Sequence, residues 1–88
     1  MKTGRRLILN DGTILEDGEA GYAQEHLWLW FSGYTLQEAA ALCFDPGKTS
    51  RIIFQYGEME DVFNGFTSCI ALQTGDGGRI SVCMTKGA

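Results

Sequence analysis

Long apolar runs are absent from the sequence. Nothing in its 88 residues approaches the roughly 18 consecutive apolar residues that span a bilayer. No membrane contact is therefore expected. Basic residues are scarce: seven Lys and Arg stand against eleven Asp and Glu, a formal charge of −4. A protein that coats DNA or RNA without sequence preference needs a basic face to displace counterions, so that class is excluded. Only three cysteines occur, Cys43, Cys69 and Cys83, with no C-x-x-C spacing. An odd count without that spacing argues against a secreted disulfide scaffold and against a zinc ribbon. Near the N-terminus, Lys2, Arg5 and Arg6 are followed only by Leu7, Ile8 and Leu9, too few for a signal-peptide core. Three reduced thiols in a cytoplasmic protein are expected.

What is present is an ordinary globular mixture, 44% apolar and 20% charged, which excludes a disordered chain. The length allows one domain over residues 1–88 and no second core. A domain of this size buries only roughly 60–65% of its unfolded surface, so support from a homo-oligomer fits it. Charge is unevenly spread. Ten of the eleven acids lie between Asp11 and Asp61, with only Lys48 and Arg51 among them. This reads either as a solvated face or as an acidic patch that meets a basic partner.

Residues 5–10 and 13–17 read as strands joined by Asp11-Gly12, a hairpin signal. A two-residue loop pairs Asn10 with Thr13 and sets Leu9 opposite Ile14. Residues 17–26 read as loop. Leu27-Trp28-Leu29-Trp30-Phe31 is short, bulky and aromatic, hence a strand. Alternation puts Leu27, Leu29 and Phe31 on one face and both tryptophans on the other. Thr35 to Glu38 fits a capping box, followed by a helix with a stripe of Leu36, Ala39, Ala40 and Cys43. Asp45-Pro46-Gly47 ends it. Residues 51–56 form the next strand, 57–61 are polar and acidic, and 66–73 with 79–85 form a second hairpin around Asp76. Its favoured register sets Leu72 opposite Ile80, Ile70 opposite Val82, Ser68 opposite Met84 and Cys69 opposite Cys83. The expected fold is α+β: a mostly antiparallel sheet of two hairpins plus two further strands, with one short helix packed on it.

Little of this points to catalysis. Gly47-Lys48-Thr49-Ser50 resembles the end of a phosphate loop, but Leu42 stands where its first glycine belongs, and a helix precedes it. His26, the single histidine, has no companion at ligand or nucleophile spacing. Glu58, Glu60 and Asp61 lack the regular ligand spacing of a calcium loop. No metal or cofactor is expected, and no enzyme. Trp28 and Trp30 are core if the helix covers their face, and a platform for a partner if it covers Leu27, Leu29 and Phe31. Tyr22 and Tyr34 are candidate neighbours.

Leu9-Asn10-Asp11-Gly12-Thr13, Phe44 through Thr49, Ile52, Phe54 through Glu58 and Gly65-Phe66-Thr67 give the chain a pattern of its own. In it the chain resembles small proteins encoded in phages and prophages of gut Firmicutes. That resemblance implies a virion or tail-module accessory, or an inhibitor of host defence. The expectation is a non-enzymatic protein that blocks a host component with a basic surface by stoichiometric contact. The contact residues would be Trp28, Trp30, Tyr34, Glu58, Glu60 and Asp61. Two alternatives stand beside it: a structural accessory of the virion, and an oligomer that sequesters a signalling nucleotide.

Overall fold

A computed structural model describes residues 4–75 and 78–86. The chain order is β1 (Arg5–Ile8), β2 (Ile14–Glu16), β3 (Glu19–Ala23), β4 (His26–Phe31), α1 (Leu36–Cys43), α2 (Pro46–Thr49), β5 (Arg51–Tyr56), β6 (Met59–Asn64), β7 (Phe66–Gln73) and β8 (Ile80–Lys86). The strands make two antiparallel sheets, A in the order β2-β1-β5-β6 and B in the order β3-β4-β8-β7. The fold is α+β. It has two sheets rather than one, and a helical turn, α2, at Pro46-Gly47. No helix among the described residues is long and apolar enough to cross a membrane.

Period-two alternation builds the core. Leu7, Leu15, Ile52 and Phe54 point inward from sheet A, and Leu27, Leu29, Phe31, Ile80, Val82 and Met84 point inward from sheet B. Each fully buried leucine among them contributes roughly 1.5–3 kcal/mol. Helix α1 lies on the same side of sheet B, against β7 and β8. Thr35 caps it: the Glu38 N–H donates to Thr35 Oγ1 at 3.1 Å, and the Thr35 N–H donates to Glu38 Oε1 at 2.9 Å. Of the expected stripe only Ala39 and Cys43 are buried, and Leu36 is exposed. The Ser68 hydroxyl ties the helix end to β7 by donating to the Cys43 carbonyl at 2.6 Å.

The first hairpin turns through three residues, Asn10 to Gly12, and so leaves its first strand one residue earlier than the two-residue loop expected. The Leu9 N–H donates to Thr13 O at 2.8 Å and the Gly12 N–H donates to Leu9 O at 2.9 Å. Gly12 has φ +93°, so the loop is a three-residue one closed by a left-handed glycine. The register becomes Leu7 opposite Leu15 and Ile8 opposite Ile14. The leucines go inward and the isoleucines outward.

Two strands were not foreseen. Strand β3 falls in the stretch 17–26 expected as loop, and β6 begins within the acidic stretch 57–61 and runs on to Asn64. Neither has strong intrinsic β propensity; partners impose both. All of β3 pairs with β4, from His26 to Trp30, and β6 pairs along the whole of β5.

The most consequential departure lies in β7. Its pairing with β8 follows the expected register through Ser68 and Met84, then slips by one. Cys69 is the extra residue of a β-bulge, after which Ile70 opposes Cys83, Ala71 opposes Val82 and Leu72 opposes Ser81. The slip sends Ile70 and Leu72 to the outer face. It also separates Cys69 from the position opposite Cys83. The loop centre expected at Asp76 lies outside the described residues.

Candidate functional site

The outer face of sheet B is built from two cross-strand rows. One runs Gly21, Trp28, Cys83, Ile70, and the other Glu19, Trp30, Ser81, Leu72. Large side chains stand on β4 and β7, and small ones lie on β8 between them. With strands about 4.8 Å apart, this makes two ridges roughly 10 Å apart with Ser81 and Cys83 as the floor. The indoles of Trp28 and Trp30 stack with centroids 6.5 Å apart and planes 10° from parallel. Trp30 lies over Gly21, where an added Cβ would come within 3.2 Å of its ring. Ile70 is 48% exposed and Leu72 54% exposed. Helix α1 lies on the other face, against β7 and β8, so the half-buried tryptophans stand on the side away from the core.

The other expected contact residues are placed apart from this face. Tyr34 packs edge-on against the inward-facing Phe31, with centroids 5.7 Å apart. Glu58 is exposed in the β5–β6 turn. Glu60 and Asp61 are neighbours on β6 and therefore point to opposite faces of sheet A. The Gln55 amide donates to Glu60 Oε2 at 2.8 Å. The Tyr56 hydroxyl donates to Asp61 Oδ2 at 3.1 Å, and that bond raises the Tyr56 pKa. The one acidic and aromatic surface expected from the sequence is thus split between the two sheets. Among the described residues no three His, Cys, Asp or Glu side chains are arranged to hold a metal ion.

The remaining motifs have structural roles. Asp45 caps α2, its carboxylate accepting from the Gly47 N–H at 2.9 Å. Lys48 reaches the first hairpin and donates to Asp11 Oδ2 at 3.0 Å. Asp11 is held down to about 2, first by the Thr13 backbone N–H, then by the Thr13 side chain and Lys48. Burial pushes the Cys43 thiol up to about 11. Burial and the neighbouring Cys69 also raise Cys83. Both thiols are therefore protonated at neutral pH and weak nucleophiles.

A second feature opens where the sheets part, at the start of β4 and the end of β8. It is a cavity of about 750 Å³ bordered by Tyr22, His26, Phe63, Phe66, Thr85 and Lys86, among others. No cysteine borders it. Tyr22 and Phe63 stand edge-on to Phe66 at 5.7 and 6.2 Å, and Lys86 Nζ lies 5.3 Å from the Phe66 centroid. His26 is held by its Nδ1, 2.9 Å from the Gln24 carbonyl. The turn that carries it has Gln24 at φ +53° and Glu25 at φ +67°. Such left-handed geometry costs roughly 1–2 kcal/mol per non-glycine residue.

Sequence reasoning missed Ile70 and Leu72, because their strict alternation with Phe66 and Ser68 carries no sign of a bulge. It missed the cavity because its walls come from segments far apart in the chain. No family model, curated protein or solved structure matches this chain.

Proposed function

We propose that this chain is a non-enzymatic binding protein that acts by stoichiometric contact with a protein partner, through the outer face of sheet B. The observation that carries this reading is the stacked Trp28–Trp30 pair beside exposed Ile70 and Leu72, on a face that no element of the described residues covers. Tryptophans are enriched among the residues that dominate binding energy, and an uncovered apolar face of this kind marks a contact site. A standard interface takes about 800 Å² from each partner, a modest share of the 5282 Å² this chain exposes. In keeping with the phage proteins the chain resembles, the partner is a host component met in the cytoplasm. The carboxylates of Glu58 and Glu60 lie on the other sheet, so they act at a distance: they steer a basic partner and speed its approach.

The test is capture from a host lysate with wild-type bait and with Trp30→Ala and Leu72→Glu baits. One prey held near one equivalent by wild type and lost by both variants supports the reading, as does prey activity falling to its floor at one equivalent. Glu58→Ala with Glu60→Ala slows association and leaves dissociation nearly unchanged. An identical prey set with all baits overturns the choice of face. Incorporation of the chain into purified virions supports the accessory alternative instead.

A further inference from the structure

The cavity where the sheets part, at the start of β4 and the end of β8, is separate from the contact just described in both shape and chemistry. Its volume, about 750 Å³, lies within the range of small-molecule sites. Its aromatic walls are perpendicular. Tyr22 and Phe63 meet Phe66 at interplanar angles of 75° and 79°, so neither ring is stacked face to face on Phe66. Phe66 itself is only 5% exposed, and Lys86 sits over its ring. Tyr22 is 53% exposed and Phe63 partly so. Two aromatic surfaces therefore border the space without being covered.

The charge pattern narrows the ligand. An aromatic enclosure of this kind commonly takes a cation. Here the chain supplies that cation itself, as Lys86. Lys86 makes no ion pair among the described residues, although Glu25 also borders the cavity. The site thus holds a positive charge already, and no carboxylate of the described residues stands within ion-pair distance of it. The Nδ1 of His26 is engaged by the Gln24 carbonyl, which leaves Nε2 as the ring nitrogen available to a ligand. Asn64 adds an amide to the lining.

We propose that this cavity binds a small planar aromatic molecule bearing an anionic group, with its ring against Tyr22 and Phe63 and its anion on Lys86. The anion is a phosphate or a carboxylate. The experiment titrates the whole chain, followed by amide resonances, with four probes: adenosine 5′-monophosphate, indole-3-acetate, adenosine and inorganic phosphate. Saturable shifts at Tyr22, Phe63, Thr85 and Lys86 with either ring-bearing anion support the proposal, and which one binds identifies the anion. Adenosine and phosphate alone bind at least tenfold more weakly. Lys86→Ala weakens the preferred probe about tenfold or more, as loss of a charge-assisted bond should. Lys86→Arg restores most of it, and the amide spectrum of each variant shows that it is folded. The absence of saturable shifts at 10 mM overturns the proposal. So do shifts confined to other residues, and so does binding of adenosine as tight as that of the preferred ring-bearing anion.

Discussion

Replacing Leu72 by Ala separates two descriptions of strand β7 by magnitude alone. A continuous hairpin places Leu72 opposite Ile80 in the core. There a Leu→Ala change removes transfer energy and leaves a cavity, costing about 2–5 kcal/mol. The bulge at Cys69 places it opposite Ser81, 54% exposed. A little under half of the roughly 1.5–3 kcal/mol for a buried leucine then applies, about 1 kcal/mol. For a domain of 60–100 residues each kcal/mol moves Tm by about 4–8 °C. The bulged strand therefore predicts a fall of about 4–8 °C, and the continuous one about 8–40 °C. Leu29→Ala is the internal reference, because Leu29 is fully buried opposite Val82. Calorimetry on wild type and both variants decides the matter. Equal destabilisation by the two changes refutes the bulge, and with it the placement of Leu72 beside the tryptophans.

Two further perturbations test local geometry. Asp11 is held at about 2 when folded against an ordinary 3.8, so its stabilisation is present above pH 3.8 and is lost as pH falls through 2. Asp11→Asn should flatten the urea midpoint between about pH 4 and pH 2 relative to wild type, and parallel acid limbs would count against the Thr13 and Lys48 contacts. The β3–β4 turn carries two left-handed non-glycine residues, so the double change Gln24→Asn and Glu25→Gly fits its geometry better. It should raise stability by about 0.5–1 kcal/mol after the entropic cost of glycine, a rise of about 4 °C in Tm; a lower Tm would exclude the left-handed turn.

Legibility followed the range of the interactions. The capping box at Thr35 and Glu38 was readable because both partners lie within one turn of each other. The faces of β4 were readable because Leu27 to Phe31 alternate strictly. What needed distant partners was not. Strand β3 contains Ala20, Gly21 and Ala23, and exists because β4 offers it a full edge. The bulge at Cys69 leaves the order of apolar and polar residues untouched, so period two holds on either side of it while the faces exchange. The proposed contact face inherits that division: Trp28 and Trp30 were visible as a same-face pair, whereas Ile70 and Leu72 join them only through the slip. The acidic residues cluster in sequence, but the pleat of β6 parts Glu60 from Asp61.

Both sheets present apolar side chains outward, and desolvation distinguishes them. On sheet A, Ile14, Ile8, Ile53 and Val62 form one row across all four strands. The adjacent row is Glu16, Arg6, Gln55 and Glu60. A partner flat against that sheet would strip water from three charged groups, at a cost of several kcal/mol for each one left imperfectly paired. On sheet B the two central rows contain a single charge, Glu19, at the β3 edge, and it already meets Arg5 and, at 2.9 Å, Arg79. A partner resting on Trp28, Trp30, Ile70 and Leu72 removes water from apolar surface, two small side chains and no unpaired carboxylate. Equal areas buried on the two sheets therefore give unequal free energies, and the balance favours sheet B. The same inequality explains why the carboxylates of the β5–β6 hairpin suit steering better than contact: they attract while hydrated, and lose that advantage once buried.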